Sequence, residues 1–367
     1  MLPARRYEIL RKAKQQSSMD HIYVRSIKDN PPPVTEPRLC YGFETHTEPK
    51  LIALLSHELE EKRLSSLSLL YNYISNHQKI IRLIQFGCLD PLVVLLHDPN
   101  ELIRQRSAAI LSRISVVHAG IDAILQHETA FETIMECLND ESSDIVVTIH
   151  SILNHICSTI FVEQAVQRGV IPNLVKSLQV ASQDGKLLAL DSLYYCSERV
   201  EAAIHISLNE GLAPICVEIV RLPQNYPVEV YERAASVLTV MCGHVDGKTA
   251  TIEAGGVAPL VEMLKKEEDT KTLAIFMECL MAITTDLQGM RDGIRCGLCE
   301  IATKMLQSEN VQLSLSSIKT ISNLAINPKG RELVQPSLDT LRLLSGYHDI
   351  LISESAKEAI VRVTFVP

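Results

Sequence analysis

The chain has 367 residues, 46% of them hydrophobic, with 15 glycines, no tryptophan and a net charge of −9. That acidic balance disfavours a general nucleic-acid-binding role, which requires a basic stripe. His150, Asn154 and His155 interrupt the most hydrophobic stretch, so no apolar run reaches the roughly 20 residues of a membrane span. Taken from the start, Met1 to Asn30 is a polar leader with a short helix expected over Arg5 to Gln15. Arg5, Arg6, Arg11, Lys12 and Lys14 have no apolar segment behind them, which excludes a secretory signal and implies an intracellular protein. Residues 1–33 hold seven Lys/Arg and three Asp/Glu, a net +4, against −13 for the remainder. Pro31, Pro32 and Pro33 enforce an extended spacer, and Pro37 and Pro49 are expected to delay helix formation until the ordered body begins. The leader reads equally as a disordered tail or as a basic arm that orders on an acidic partner. Tyr41-Gly42-Phe43 is expected to pack over the open end of that body.

From about residue 46 the sequence repeats. In Gly87 to Ile114, Gly87 can adopt the left-handed conformation that ends one helix, and Pro91-Leu92 restarts another. Leu92, Val93, Leu95 and Leu96 form a buried stripe, His97 to Asn100 a turn with Asn100 as the next cap, and Ile103, Ser107, Ala108, Ile110, Leu111 and Ile114 the face of a longer helix. The unit returns at Gly169, Gly211, Gly255 and Gly297, and without glycine near His46, Thr129 and Ser337, at intervals of 40 to 44 residues. Apolar segments such as Gln78–Phe86, Gly120–Gln126, Phe161–Arg168 and Thr249–Glu253 supply a short first helix to each unit. Polar stretches at Asn139–Asp144, Ser182–Gly185, Pro223–Pro227, Lys265–Asp269 and Ser308–Asn310 read as turns, the one at Pro223–Pro227 being longer than the rest.

A period of about 40–47 residues built from helices is that of the armadillo and HEAT solenoids, and the glycine-proline opening with a small-residue third helix resembles armadillo more closely. The expectation is an all-α, right-handed superhelical solenoid of about eight armadillo (ARM/HEAT-like) repeats over residues 46–367, behind a basic, proline-rich extension, residues 1–45. One unit cannot bury its own apolar faces, so neighbours must share a continuous core. The last repeat, ending at Val366-Pro367, is expected to cap the stack.

Ten cysteines fall mostly at apolar helix positions, Cys137, Cys157, Cys216 and Cys279 among them, as reduced core thiols would. Cys296 and Cys299 form a close pair without the second pair that a zinc site wants, and Tyr347-His348-Asp349 reads as a turn. There is no phosphate-loop glycine motif, nucleophile elbow or Cys/His signature. The reading is therefore non-enzymatic, with no cofactor, no metal and no small-molecule substrate. In armadillo proteins that clamp extended peptides, the third helices carry a ladder of Asn, often beside Trp. The matching positions here read Asn72, Arg113, His155, Tyr195, Val240, Ala282 and Asn323. With two Asn and an apolar middle at Val240 and Ala282, this inner groove is expected to dock folded or helical partners.

Pro31 to Gly42 leading into Pro49-Lys50-Leu51, Ile84 to Asp98, Gln167 to Val180 and the ending Ala359 to Val363 with Pro367 are similar to the radial-spoke family of armadillo proteins. The resemblance covers residues 31–367. It implies a scaffold component of the radial spoke in the axoneme of motile cilia and flagella, contacting other radial spoke proteins, with neither membrane nor nucleic acid as partner. A cytosolic or nuclear armadillo adaptor for linear peptides is the alternative. The leader's cations would then meet acidic surfaces on the doublet microtubules.

Overall fold

Eight long helices carry the architecture of the computed structural model, which describes residues 47–366. The leader cations Arg5, Arg6, Arg11, Lys12 and Lys14 and the Tyr41-Gly42-Phe43 segment lie outside the described residues. In chain order the long helices are α1 (Glu60–Tyr73), α2 (Glu101–Ile114), α3 (Ser143–Cys157), α4 (Gln183–Arg199), α5 (Val228–Met241), α6 (Thr270–Ile283), α7 (Val311–Leu324) and α8 (Ile350–Val363). Each packs against the next along the chain, and no strand occurs among the described residues.

Two shorter helices precede each long one, as at His77–Gln85 and Leu89–Leu95 before α2. For α1 the described part holds one, Thr47–Leu55, and Pro49 lies inside its first turn. There its missing N–H costs nothing, so Pro49 does not delay the helix as the sequence suggested. The Ser182–Gly185 stretch is likewise not a free turn. Ser182 caps α4, its hydroxyl accepting the Gly185 N–H at 3.3 Å, and Gly185 is already helical. The longer Pro223–Pro227 connection folds as a 3-10 turn at Pro223–Asn225. Asn100, Asp269, Asn310 and Asp349 each cap a long helix through side-chain oxygens.

Two kinds of glycine set the period. Gly87, Gly169, Gly211, Gly255 and Gly297 all have φ between 72° and 86°, the left-handed turn between first and second helices that side chains disfavour. A second kind sits inside the first helix. A Cβ on Gly120 would lie 1.9 Å from the Ile114 carbonyl oxygen, and one on Gly247 2.0 Å from that of Met241. Only a bare Cα lets the first helix cross this close to the end of the preceding long helix.

Among the described residues the core is one cluster from Leu51 to Val363. Ala108 of α2, Ala234 of α5 and Ser316 of α7 are at most 1% exposed, so small side chains stand where the long helices approach closely. On α8, Lys357 takes the place of the fully buried Ile318 of α7 and Met277 of α6, and pairs instead with Glu354 at 2.7 Å.

Candidate docking surface on the long helices

The positions expected to form a ladder recur at the C-terminal end of the long helices. The last carbonyls of any helix lack partners within it. In this protein the next repeat supplies them. Arg113 of α2 donates to the Tyr71 and Ile74 carbonyls at the end of α1, at 2.8 and 3.1 Å, and its guanidinium stacks 3.6 Å from the centre of the Tyr71 ring. Asn323 of α7 donates to the Met281 carbonyl and to the Thr284 hydroxyl at the end of α6, at 3.1 and 3.3 Å. His155 is hydrogen-bonded to Ser115 just beyond α2, at 2.8 Å, and burial lowers its pKa.

These three side chains are therefore spent on tying one repeat to the previous one. Asn72 is exposed, and Val240 and Ala282 are half-buried. Tyr195 faces Arg199, whose guanidinium lies 5.2 Å from its ring centre while donating to the Ser158 and Thr159 carbonyls beyond α3, at 2.7 and 3.2 Å. Arg199 was not among the expected positions, because α4 is longer than its neighbours and delivers the cation one turn later.

A second set of residues completes the surface and was also missed. Asp191 of α4 pairs with Arg233 of α5 at 2.5 Å. Burial raises the Asp191 carboxyl, while Arg233 and a hydrogen bond from Asn154 of α3 pull the other way. Tyr194 donates to Glu198 at 3.1 Å, and its ring lies 5.1 Å from the Arg233 guanidinium and edge-on to Tyr195 at 5.7 Å. Burial, then Glu198, raise the Tyr194 pKa, and Glu278 of α6 adds to the rise from two repeats away. The signal was present as adjacent tyrosines in a chain with 4% aromatic residues. Towards α8 the same side opens into a trough of about 270 Å³ lined by Ala282, Lys319, Asn323 and Arg362.

The outer turns are braced separately. Asp98, in the turn before α2, pairs with Arg63 of α1 at 3.1 Å, and Asp140, before α3, with Arg104 of α2 at 2.8 Å. Cys299 is buried and Cys296 half-buried, and burial pushes the thiols of Cys137 and Cys299 up to about 11. Thiols held so far from the thiolate are poor nucleophiles and poor metal ligands. Among the described residues no group of three His, Cys, Asp or Glu side chains is placed to hold a metal ion.

Residues 76–116, the first helix through α2, match the profile of the armadillo/beta-catenin-like repeat. Radial spoke protein 14 of Chlamydomonas reinhardtii is 23% identical over 259 residues, covering 68% of this chain and 67% of that protein. Among solved structures, an engineered protein superposes with a TM-score of 0.74 at 20% identity, over 86% of this chain and 78% of its own. A second engineered protein gives a TM-score of 0.58 at 20% identity, over 64% and 96%. These two likenesses concern the fold.

Proposed function

We propose that this helical-repeat chain, one unit of which matches the armadillo/beta-catenin-like repeat, is a non-enzymatic scaffold of the radial spoke, held in the axoneme of motile cilia and flagella. The observation that carries this reading is the similarity to radial spoke protein 14, which spans 259 residues of a chain that is repeat solenoid from residue 47 onward. The geometry supports it. A stack whose helix ends are tied repeat to repeat is stiff, and its groove side chains at Arg113, His155 and Asn323 are engaged within the protein rather than offered to an extended peptide. That speaks against an adaptor for linear peptides.

In this reading the partners are other radial spoke proteins, met on the concave side around Tyr195, Val240 and Ala282. The leader cations Arg5, Arg6, Arg11, Lys12 and Lys14 would add an electrostatic hold on acidic axonemal surfaces. Fractionation of demembranated cilia tests the proposal. The protein should stay with the axoneme through detergent and leave with the spokes when these are extracted by high salt. Complete release by detergent alone overturns it.

A further inference from the structure

The trough of about 270 Å³ between the ends of α6, α7 and α8 gathers hydrogen-bond donors that the chain itself leaves unused. On α7, Lys319 is followed three and four residues on by Ser322 and Asn323, and on α8 Ser355 is followed by Glu358 and Arg362 at steps of three and four. At those spacings each set shares one helix face, and the two faces wall the same cavity. Ser322 is 5% exposed, and its hydroxyl has no hydrogen-bond partner. Ser355, half-buried, makes no hydrogen bond among the described residues, and Lys319 is exposed and in no ion pair among them. Arg362 donates one N–H to Glu358, at 2.6 Å, and holds the rest of its guanidinium donors in reserve. Asn323 is the exception, its amide nitrogen being engaged by the Met281 carbonyl and the Thr284 hydroxyl. Two cations against one carboxylate leave the lining with a single net positive charge.

We infer that this trough receives the carboxylate of a glutamate or aspartate side chain carried by an acidic segment of another protein. An ionised carboxylate only accepts hydrogen bonds, so it answers the unspent donors of Lys319, Ser322, Ser355 and Arg362 together, and bonds to a charged acceptor are the stronger kind. Its single charge matches that of the lining, whereas a phosphoryl group would bring about −1.5 to −2. A lysine or arginine would find only Glu358, which Arg362 already holds. The volume lies below the roughly 300–1,000 Å³ of small-molecule sites, which suits one side chain rather than a cofactor, and the half-buried Met281 and Ala282 offer its methylene groups an apolar wall. The inference concerns this cavity alone and goes beyond the radial-spoke reading.

The test titrates the full chain with three fluorescent peptides in which alanine alternates with glutamate, glutamine or phosphoserine. The chain is −9 overall, so its net charge repels the acidic peptides and attraction must be local. Fluorescence anisotropy at low salt should give the glutamate peptide at least about tenfold tighter binding than the glutamine peptide, with the gap narrowing as salt screens it. Lys319→Glu should remove about tenfold of that affinity, whereas Lys304→Glu, the same change of charge on an exposed helix outside the trough, should alter it less than about twofold. Ser322→Ala changes no charge and should weaken the glutamate peptide about threefold or more, with no loss of melting temperature because the hydroxyl it removes is unpartnered. Circular dichroism confirms that all three variants fold. Equal binding of the glutamate and glutamine peptides, tighter binding of the phosphoserine peptide, equal effects of the two lysine substitutions, or full affinity in Ser322→Ala overturns the inference. Release of the protein from axonemes by detergent would overturn the scaffold reading and leave this binding result standing.

Discussion

At the scale of single residues, space and protonation each leave a measurable mark. Gly120 and Gly169 are both repeat glycines with different reasons to be so. Alanine at Gly120 would drive a methyl into the Ile114 carbonyl, whereas Gly169 has nothing within 4 Å of the added carbon and only its φ of +79° to object. Gly120→Ala should therefore cost about 1–3 kcal/mol through overpacking, and Gly169→Ala about 1 kcal/mol through backbone strain. Thermal or urea melts of the two variants rank them, and the reverse order would mean that the first helix can shift at little cost. His150 supplies the second mark. It is fully buried in α3, one ring nitrogen meets Ser177 at 2.9 Å, and burial lowers its pKa from 6.5 to about 4. Between those values the unfolded chain takes up a proton that the folded chain refuses, so stability falls as pH drops from about 6.5 to 4, by at most about 3 kcal/mol. Above 6.5 the group has no effect. His150→Gln should flatten the melting temperature over that window relative to the natural chain, and an unchanged slope would assign the acid sensitivity to other groups.

At the scale of helices, packing distance and helix-end bonding decide stability. Ala108, Ala234 and Ser316 sit where consecutive long helices meet, and leucine at any of them should cost about 1–3 kcal/mol. Unchanged melting temperatures in all three would contradict the packing described. Arg113→Ala exposes a different dependence, since it leaves the Tyr71 and Ile74 carbonyls without their donor. A loss of about 1–3 kcal/mol is expected, with hydrogen exchange quickening at the end of α1 rather than throughout. Arg113→Lys should recover little, because one ammonium cannot reproduce the planar stack on Tyr71. These cases also separate what the sequence could disclose from what it could not. The period was legible because a left-handed turn and an apolar stripe are local demands, met at Gly87 or Gly211 whatever the neighbours do. Small residues at helix crossings were legible for the same reason. The fate of the ladder was not, because whether Arg113 or Asn323 is free depends on where the preceding helix ends, a relation between residues about 40 positions apart. No local pattern distinguishes an Asn offered to a partner from one consumed by the stack. Arg199 escaped because α4 runs a turn longer, and Gly185 because a cap at Ser182 makes a polar stretch helical.

At the scale of the whole molecule, the distribution of charge matters more than any pair. Surface pairs such as Lys304–Glu300 at 2.7 Å, both side chains more than 70% exposed, contribute little to stability. The imbalance between a leader of +4 over residues 1–33 and a remainder of −13 is a different matter, because it acts at the range of a Debye length and on partners as well as on the chain. A solenoid holds itself together through contacts between adjacent repeats, and among the described residues the core cluster runs from Leu51 to Val363. Deleting residues 1–30 should accordingly leave the helical circular-dichroism signal and the melting temperature of the purified protein unchanged. The deletion also removes Arg5, Arg6, Arg11, Lys12 and Lys14. If these cations help hold the protein on acidic axonemal surfaces, the shortened chain should leave isolated axonemes at lower salt than the full chain. Replacing the five cations by glutamine should reproduce the effect at full length, which separates charge from length. Equal salt resistance of all three forms would make the leader a passive tail and place the whole of the docking on the solenoid.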